Sequence, residues 1–140
     1  MKFKLASDHA GREIKKRVLK VLEEKGLDFE DLSPENISSD DYPDFASKVC
    51  SSLNGDEFGF LACGTGIGIS IAANKFQGIR AALVTNPEDS KLSRAHNNAN
   101  VLVLGQNKSY SDKELEEIID NFVNTSFEKG RHERRVGKLK

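Results

Sequence analysis

The chain has 140 residues, the size of one domain, and its 37% hydrophobic and 31% charged residues are a globular balance rather than a disordered one. A net charge of −1 leaves no global basic field to hold nucleic acid or an anionic membrane surface. No run approaches the roughly 20 apolar residues of a membrane span, and the opening Met1 to Asp8 turns polar too soon for a signal peptide.

Periodicity then alternates between strand and helix. Residues 2–7 read as a short strand. Residues 11–25 carry Ile14, Val18, Val21 and Leu22 at helical spacing, with Gly26 as a stop. Residues 27–32 alternate as a strand, and 33–41 form a polar loop with Pro34. Tyr42-Pro43 opens a helix through Leu53. Residues 57–63 read as a buried strand, followed by the glycine-rich turn Gly64-Thr65-Gly66-Ile67-Gly68 and a helix over 67–76. Arg80 to Thr85 is a further apolar strand, and Asn86-Pro87 starts a helix that reaches about Asn97. Val101 to Leu104 is a fifth strand closed by Gly105. Residues 111–127 make a last amphipathic helix on Leu115, Ile118, Ile119 and Phe122. The end, 129–140, packs Lys129, Arg131, Arg134, Arg135, Lys138 and Lys140 against the single acid Glu133.

Five strands separated by helices predict an α/β fold: a Rossmann-like three-layer sandwich on a five-stranded parallel sheet, one domain over 1–140. Such sheets bind ligands at the carboxyl ends of their strands. Polar and reactive residues are expected on that edge: Asp8 and His9 after the first strand, Cys63 to Gly68 after the third, and His96 and Asn97 at the end of the helix after the fourth.

Each has a plain reading beside a functional one. The three glycines make either a tight turn or an anion nest at a helix N-terminus. They suit a small anion better than a nucleotide, since Ile69 stands where GxGxxG needs glycine and no Gly-Lys pair supports a P-loop. Cys63 is either an inert thiol or, at the end of a strand before helix donors, a sulfur whose thiolate is favoured. Cys50 reads as core. The two cysteines form neither CxxC nor a zinc pattern, which suggests a cytosolic protein with free thiols and leaves a Cys50–Cys63 disulfide open. Asp8 is either a helix cap or, with His9, His96 and Cys63, part of an acid–base set near neutral pH. The basic tail is either a solvated helix end or an anion site; on a helix, Arg131 and Arg135 share a face suited to phosphate.

Six stretches together resemble one family. They are Ser7-Asp8-His9-Ala10-Gly11, Asp41-Tyr42-Pro43-Asp44-Phe45-Ala46, the run from Cys63 through Asn74-Lys75, Gly78-Ile79-Arg80-Ala81, Ser93-Arg94-Ala95-His96-Asn97 and Gly130-Arg131-His132-Glu133-Arg134-Arg135. They resemble the type B ribose-5-phosphate isomerases, a family that includes galactose- and allose-6-phosphate isomerases. The resemblance implies aldose–ketose isomerisation of a small phosphorylated sugar through a cis-enediolate, without metal or organic cofactor. It implies a homodimer, able to pair into a tetramer, with active sites built from both subunits.

It also implies roles. Cys63 matches the base that moves a proton between C1 and C2. The backbone of Gly64, Thr65, Gly66, Ile67 and Gly68 matches the nest for the enediolate oxygen. His96 matches the group that helps open the furanose ring, with Asp8 and Thr65 nearby. Asn97 matches a hydroxyl contact, Tyr42 a substrate contact, and His9, Arg131 and Arg135 the phosphate groups. One position departs: Asn107 stands where many members carry an arginine in the loop after the fifth strand, with Lys108 as a weak substitute. That leaves a six-carbon sugar phosphate as a rival substrate. A non-catalytic phosphate-ligand module is the alternative of another class; it would not need Cys63 or His96.

Overall fold

The computed structural model describes residues 2–140. It has five strands: β1 (Lys2–Ser7), β2 (Asp28–Asp31), β3 (Phe58–Cys63), β4 (Ala81–Leu83) and β5 (Val101–Gly105). All pairings are parallel, in the order β2-β1-β3-β5-β4. The six helices are α1 (Arg12–Glu24), α2 (Tyr42–Cys50), α3 (Ile67–Ala73), α4 (Pro87–Asn97), α5 (Asp112–Asn124) and α6 (Arg131–Val136). A 3-10 turn over His9–Gly11 leads into α1.

The strand period of two assigns the central strands to two cores. Phe3, Leu5, Phe60, Leu102 and Leu104 pack against α1 and α5. Ala6, Leu61, Cys63, Val101 and Val103 face the other way, onto α2 and α3. This is the expected three-layer sandwich.

Several boundaries are shorter than the sequence suggests. The second helix ends at Cys50, not Leu53, and the third at Ala73, not 76. The expected strand from Arg80 to Thr85 contracts to three residues, because β4 is an edge paired only with β5. The last amphipathic helix ends at Asn124; its start is fixed by a capping box between Ser111 and Glu114. The basic tail folds as α6, and the segment just before it is tied to α4 where Glu128 N–H donates to Ala95 O at 2.9 Å.

Candidate active site

Registers Ser7↔Ala62 and Cys63↔Gly105 bring the ends of β1, β3 and β5 side by side. The chain leaves β1 for β2 on one side, while β3 lies on the other. The crevice between them is the switch point at which such sheets bind ligands.

Asp8 and His9 open this edge. Asp8 is buried, and its Oδ1 accepts from Gly11 N–H at 3.0 Å, so it is the cap that sequence allows. Burial pushes its carboxyl above the usual range, opposed in part by that hydrogen bond. His9 Nδ1 lies 2.7 Å from Asp40 Oδ1, and the His9 backbone N–H donates to the same oxygen at 2.8 Å. The Asp40 hydrogen bond raises the imidazole pKa. Hydrogen bonds from the His9 backbone, Asn36 and the His9 ring outweigh desolvation at Asp40 and hold its carboxyl low.

Cys63 ends β3 with 4% of its surface exposed. Its Sγ accepts the Gly66 backbone N–H at 3.2 Å, and Thr65 Oγ1 accepts from Ile67 N–H at 3.1 Å. The turn thus sets one of its own amides on the sulfur, and the N–H groups of Gly68 and Ile69 fall in a first turn that no intrahelical carbonyl serves. The glycines are close-approach positions. Gly66 has φ of 79°, and a Cβ there would sit 2.5 Å from Leu83 Cδ1. A Cβ on Gly68 would meet the Tyr42 ring at 2.7 Å, which places that half-exposed ring over the turn. A Cβ on Gly105 would meet Thr65 O at 2.4 Å, and Asn107 N–H donates to Gly64 O at 2.9 Å. Asn107 is therefore at the rim of the crevice. Both cysteines are free, so the disulfide left open by their spacing is not formed.

His96 and Asn97 do not join this edge, contrary to the sequence expectation. A helix that follows a parallel strand runs back antiparallel to it, so the end of α4 lies where β5 begins. Its 11 residues carry the chain about 16 Å along that direction. Arg131 and Arg135 lie with His96, because α6 packs on α4 and the His96 and His132 rings stack at 4.2 Å. Glu128 Oε1 is 3.8 Å from His96 Nε2 and 3.6 Å from His132 Nε2. Desolvation, then the charges of His96 and Arg131, push the His132 pKa down. The residues picked out by sequence therefore fall in two clusters: Asp8, His9, Tyr42 and Cys63 to Gly68 at one edge of the sheet, and His96, Asn97, Arg131 and Arg135 at the other.

Among the described residues, two sets of side chains group potential metal ligands within 4.8 Å: His96, Glu128 and His132, and Asp8, His9 and Asp40. Neither is a set that the sequence pattern picks out. Asp40 and His132 are the residues that sequence reasoning passed over. His132 stood inside the quoted Gly-Arg-His stretch, and nothing along the chain sets it against His96. Asp40 sits in a polar loop and meets His9 only in three dimensions.

A sequence profile described as Ribose/Galactose Isomerase matches residues 3–139. The chain belongs to the ribose/galactose isomerase family. A probable ribose-5-phosphate isomerase B of Mycoplasma pneumoniae is 43% identical over 138 residues, covering 96% of this chain and 90% of that protein. The crystal structure of a ribose 5-phosphate isomerase from Thermotoga maritima matches with a TM-score of 0.91 at 47% identity, over 99% of this chain and 96% of that one. Ribose-5-phosphate isomerase B from Mycoplasma genitalium, solved with bound ribulose-5-phosphate, matches with a TM-score of 0.89 at 40% identity, over 99% and 93%. The fold expected of a family member is thus found over nearly the whole chain.

Proposed function

We propose that this protein interconverts ribose 5-phosphate and ribulose 5-phosphate, with Cys63 as the base. The observation that carries the assignment of the base is the Gly66 N–H on Cys63 Sγ at 3.2 Å, inside a turn of further amides. An amide donor and a helix start favour negative charge on sulfur. In the open-chain aldose the thiolate takes the proton from C2 while the carbonyl oxygen becomes an enediolate oxygen. Amides of the turn over Gly64 to Gly68 stabilise that oxygen. The thiol then returns the proton to C1, while the C2 hydroxyl proton passes to the anionic C1 oxygen, leaving a C2 ketone and a C1 hydroxyl. Charge and atoms balance without a redox partner.

The second half of the site comes from a second copy in this reading. His96, Asn97, Arg131 and Arg135 lie a sheet's length from the Cys63 of their own chain, yet they are the groups suited to ring opening and phosphate binding. Exposed apolar side chains flank the crevice: Ile67 and Ile71, at 55% and 57% exposure, share a face of α3, and Leu83 lies beside Gly66. Leu92 is a further exposed apolar side chain, on α4, one turn before His96. A two-fold dimer that covers this surface sets α3 of each copy near α4 of the other. His9 of one copy and the arginines of the other then share the phosphate.

Asn107 is the observation that keeps a hexose 6-phosphate as a second reading, since a neutral amide occupies the rim of the crevice beside Gly64. Turnover on ribose 5-phosphate in the presence of chelator, beside allose and galactose 6-phosphates, separates the two. The expected result is chelator-insensitive turnover of the pentose. Cys63→Ala is expected to lose at least ~1000-fold in kcat and to stop exchange of the C2 proton with solvent, while ribose 5-phosphate still binds. Near-normal turnover in that variant would rule out the base. Binding of the sugar phosphate with no turnover by the unaltered chain would favour a binding module.

A further inference from the structure

Asp40 lies in the loop before α2 with its side chain 9% exposed. Both its oxygens are engaged: Oδ1 by the His9 backbone N–H and ring, Oδ2 by Asn36 Nδ2 at 2.9 Å. Asn36 Nδ2 also donates to Ser7 O at 2.9 Å, which ties the loop to the end of β1. Behind it, Ser33 Oγ accepts from Ser7 N–H at 2.9 Å and from Lys15 Nζ at 3.0 Å. Lys15, 2% exposed, also binds Asp31 Oδ1 at 2.9 Å. A buried polar chain therefore fastens the loop that carries Asp40 to the strand end that carries His9.

That contact fixes more than a distance. A carboxylate has no hydrogen to donate, so the proton between the two groups is on Nδ1, and Nε2 is the atom left to face a ligand. A neutral ring in this tautomer turns a lone pair toward an approaching anion. Only the imidazolium offers an Nε2–H. We propose that Asp40 is a positioning residue for phosphate binding: it holds the His9 ring with Nε2 outward and keeps it an imidazolium, so that His9 gives the sugar phosphate a charged hydrogen bond. This rests on the reading in which His9 holds the phosphate.

Within one chain the charged groups that act on His9 are Asp40, from the loop before α2, and Asp8, from the end of β1, while in the proposed dimer the second copy's arginines oppose them. The two acids favour the imidazolium. The His9 pKa is raised above 6.5, so the charged donor is fully present below that value. It is lost as pH rises through the raised pKa, and phosphate affinity falls with it.

Asp40→Asn removes the charge and keeps an amide oxygen that accepts from Nδ1–H, at the cost of the Asn36 hydrogen bond, which the amide NH2 cannot accept. The readout is the KM of the variant divided by that of the unaltered protein, on ribose 5-phosphate across pH, which cancels ionisation of the sugar phosphate itself. The ratio is expected to be near one at acid pH and to climb above the variant's lower His9 midpoint, by up to about tenfold per unit of midpoint lost, with kcat little changed. His9→Asn is the companion variant. If it leaves KM unchanged, the phosphate reading of His9 fails and the proposal falls with it. If His9→Asn raises KM while the Asp40→Asn ratio is flat with pH, the proposal alone is overturned. Nitrogen chemical shifts of His9 in the unaltered protein give an answer that does not depend on a variant folding. Nδ1–H with a titration midpoint above 6.5 supports the proposal, and an Nε2–H tautomer overturns it.

Discussion

Cys50 and Cys63 belong to the same buried cluster and differ in what meets the sulfur. Cys63 receives an amide hydrogen from Gly66. Cys50 ends α2 in apolar surroundings, and burial pushes its pKa up to about 12. Its thiolate is therefore negligible at working pH, and it behaves as a small hydrophobe. Iodoacetamide at pH 8 is expected to leave Cys50 unmodified in the folded protein and to reach it on unfolding, as peptide mass mapping would read. Cys50→Ala should cost about 1 kcal/mol or less and keep kcat, because it removes one sulfur from a core and no group from the chemistry. A loss of kcat comparable to that of Cys63→Ala would mean that both thiols act. Sequence alone separated the two by position, one within a helix and one at a strand end before a glycine turn. It was silent on Asp40, whose partner is 31 residues away.

At the level of elements, the glycines divide by what their missing Cβ would touch. A Cβ on Gly11 would lie 2.5 Å from Ala62 C, 2.6 Å from Ala62 O and 2.8 Å from Cys63 N. These are backbone atoms of β3, so the entrance to α1 rests directly on the strand that ends in Cys63. A Cβ on Gly64 would meet only the Ala10 Cβ, at an ordinary 3.6 Å. Gly11→Ala should therefore destabilise by about 3 kcal/mol and disturb Cys63, whereas Gly64→Ala should fold with a near-native urea midpoint. Equal midpoints would show that α1 withdraws from β3 at little cost. The pattern of apolar residues was enough to place α1 and α5, whose buried stripes are those read from the sequence. It did not mark Lys15, which sits on the buried side of α1 because Asp31 and Ser33 lie across from it. Nor did it mark α6, a helix of 6 residues with one buried side chain, His132, and hence no apolar stripe to read.

Across the whole molecule the residues proposed for one site stand in two separate clusters. The sequence order of elements predicts a parallel sheet, and the strand-end rule then collects ligands at one edge. The same connectivity runs each crossover helix back toward the opposite edge, so the residues at the end of α4, and those of α6 packed on it, lie away from the Cys63 of their own chain. In the proposed dimer a second copy, turned about a two-fold axis, supplies the missing half to each. Two inactive variants can then repair one another. Cys63→Ala damages the strand-end half, and His96→Asn damages the half built on α4. In a mixed dimer one site receives both lesions and the other receives neither. If the two variants unfold, mix and refold at random, half the dimers are mixed and half of their sites are intact, so activity should return to about a quarter of that of the unaltered protein. Sites contained within single chains predict no recovery at any ratio. The dependence on mixing ratio sharpens the test, since recovery through shared sites is greatest at equal amounts and falls away symmetrically on either side.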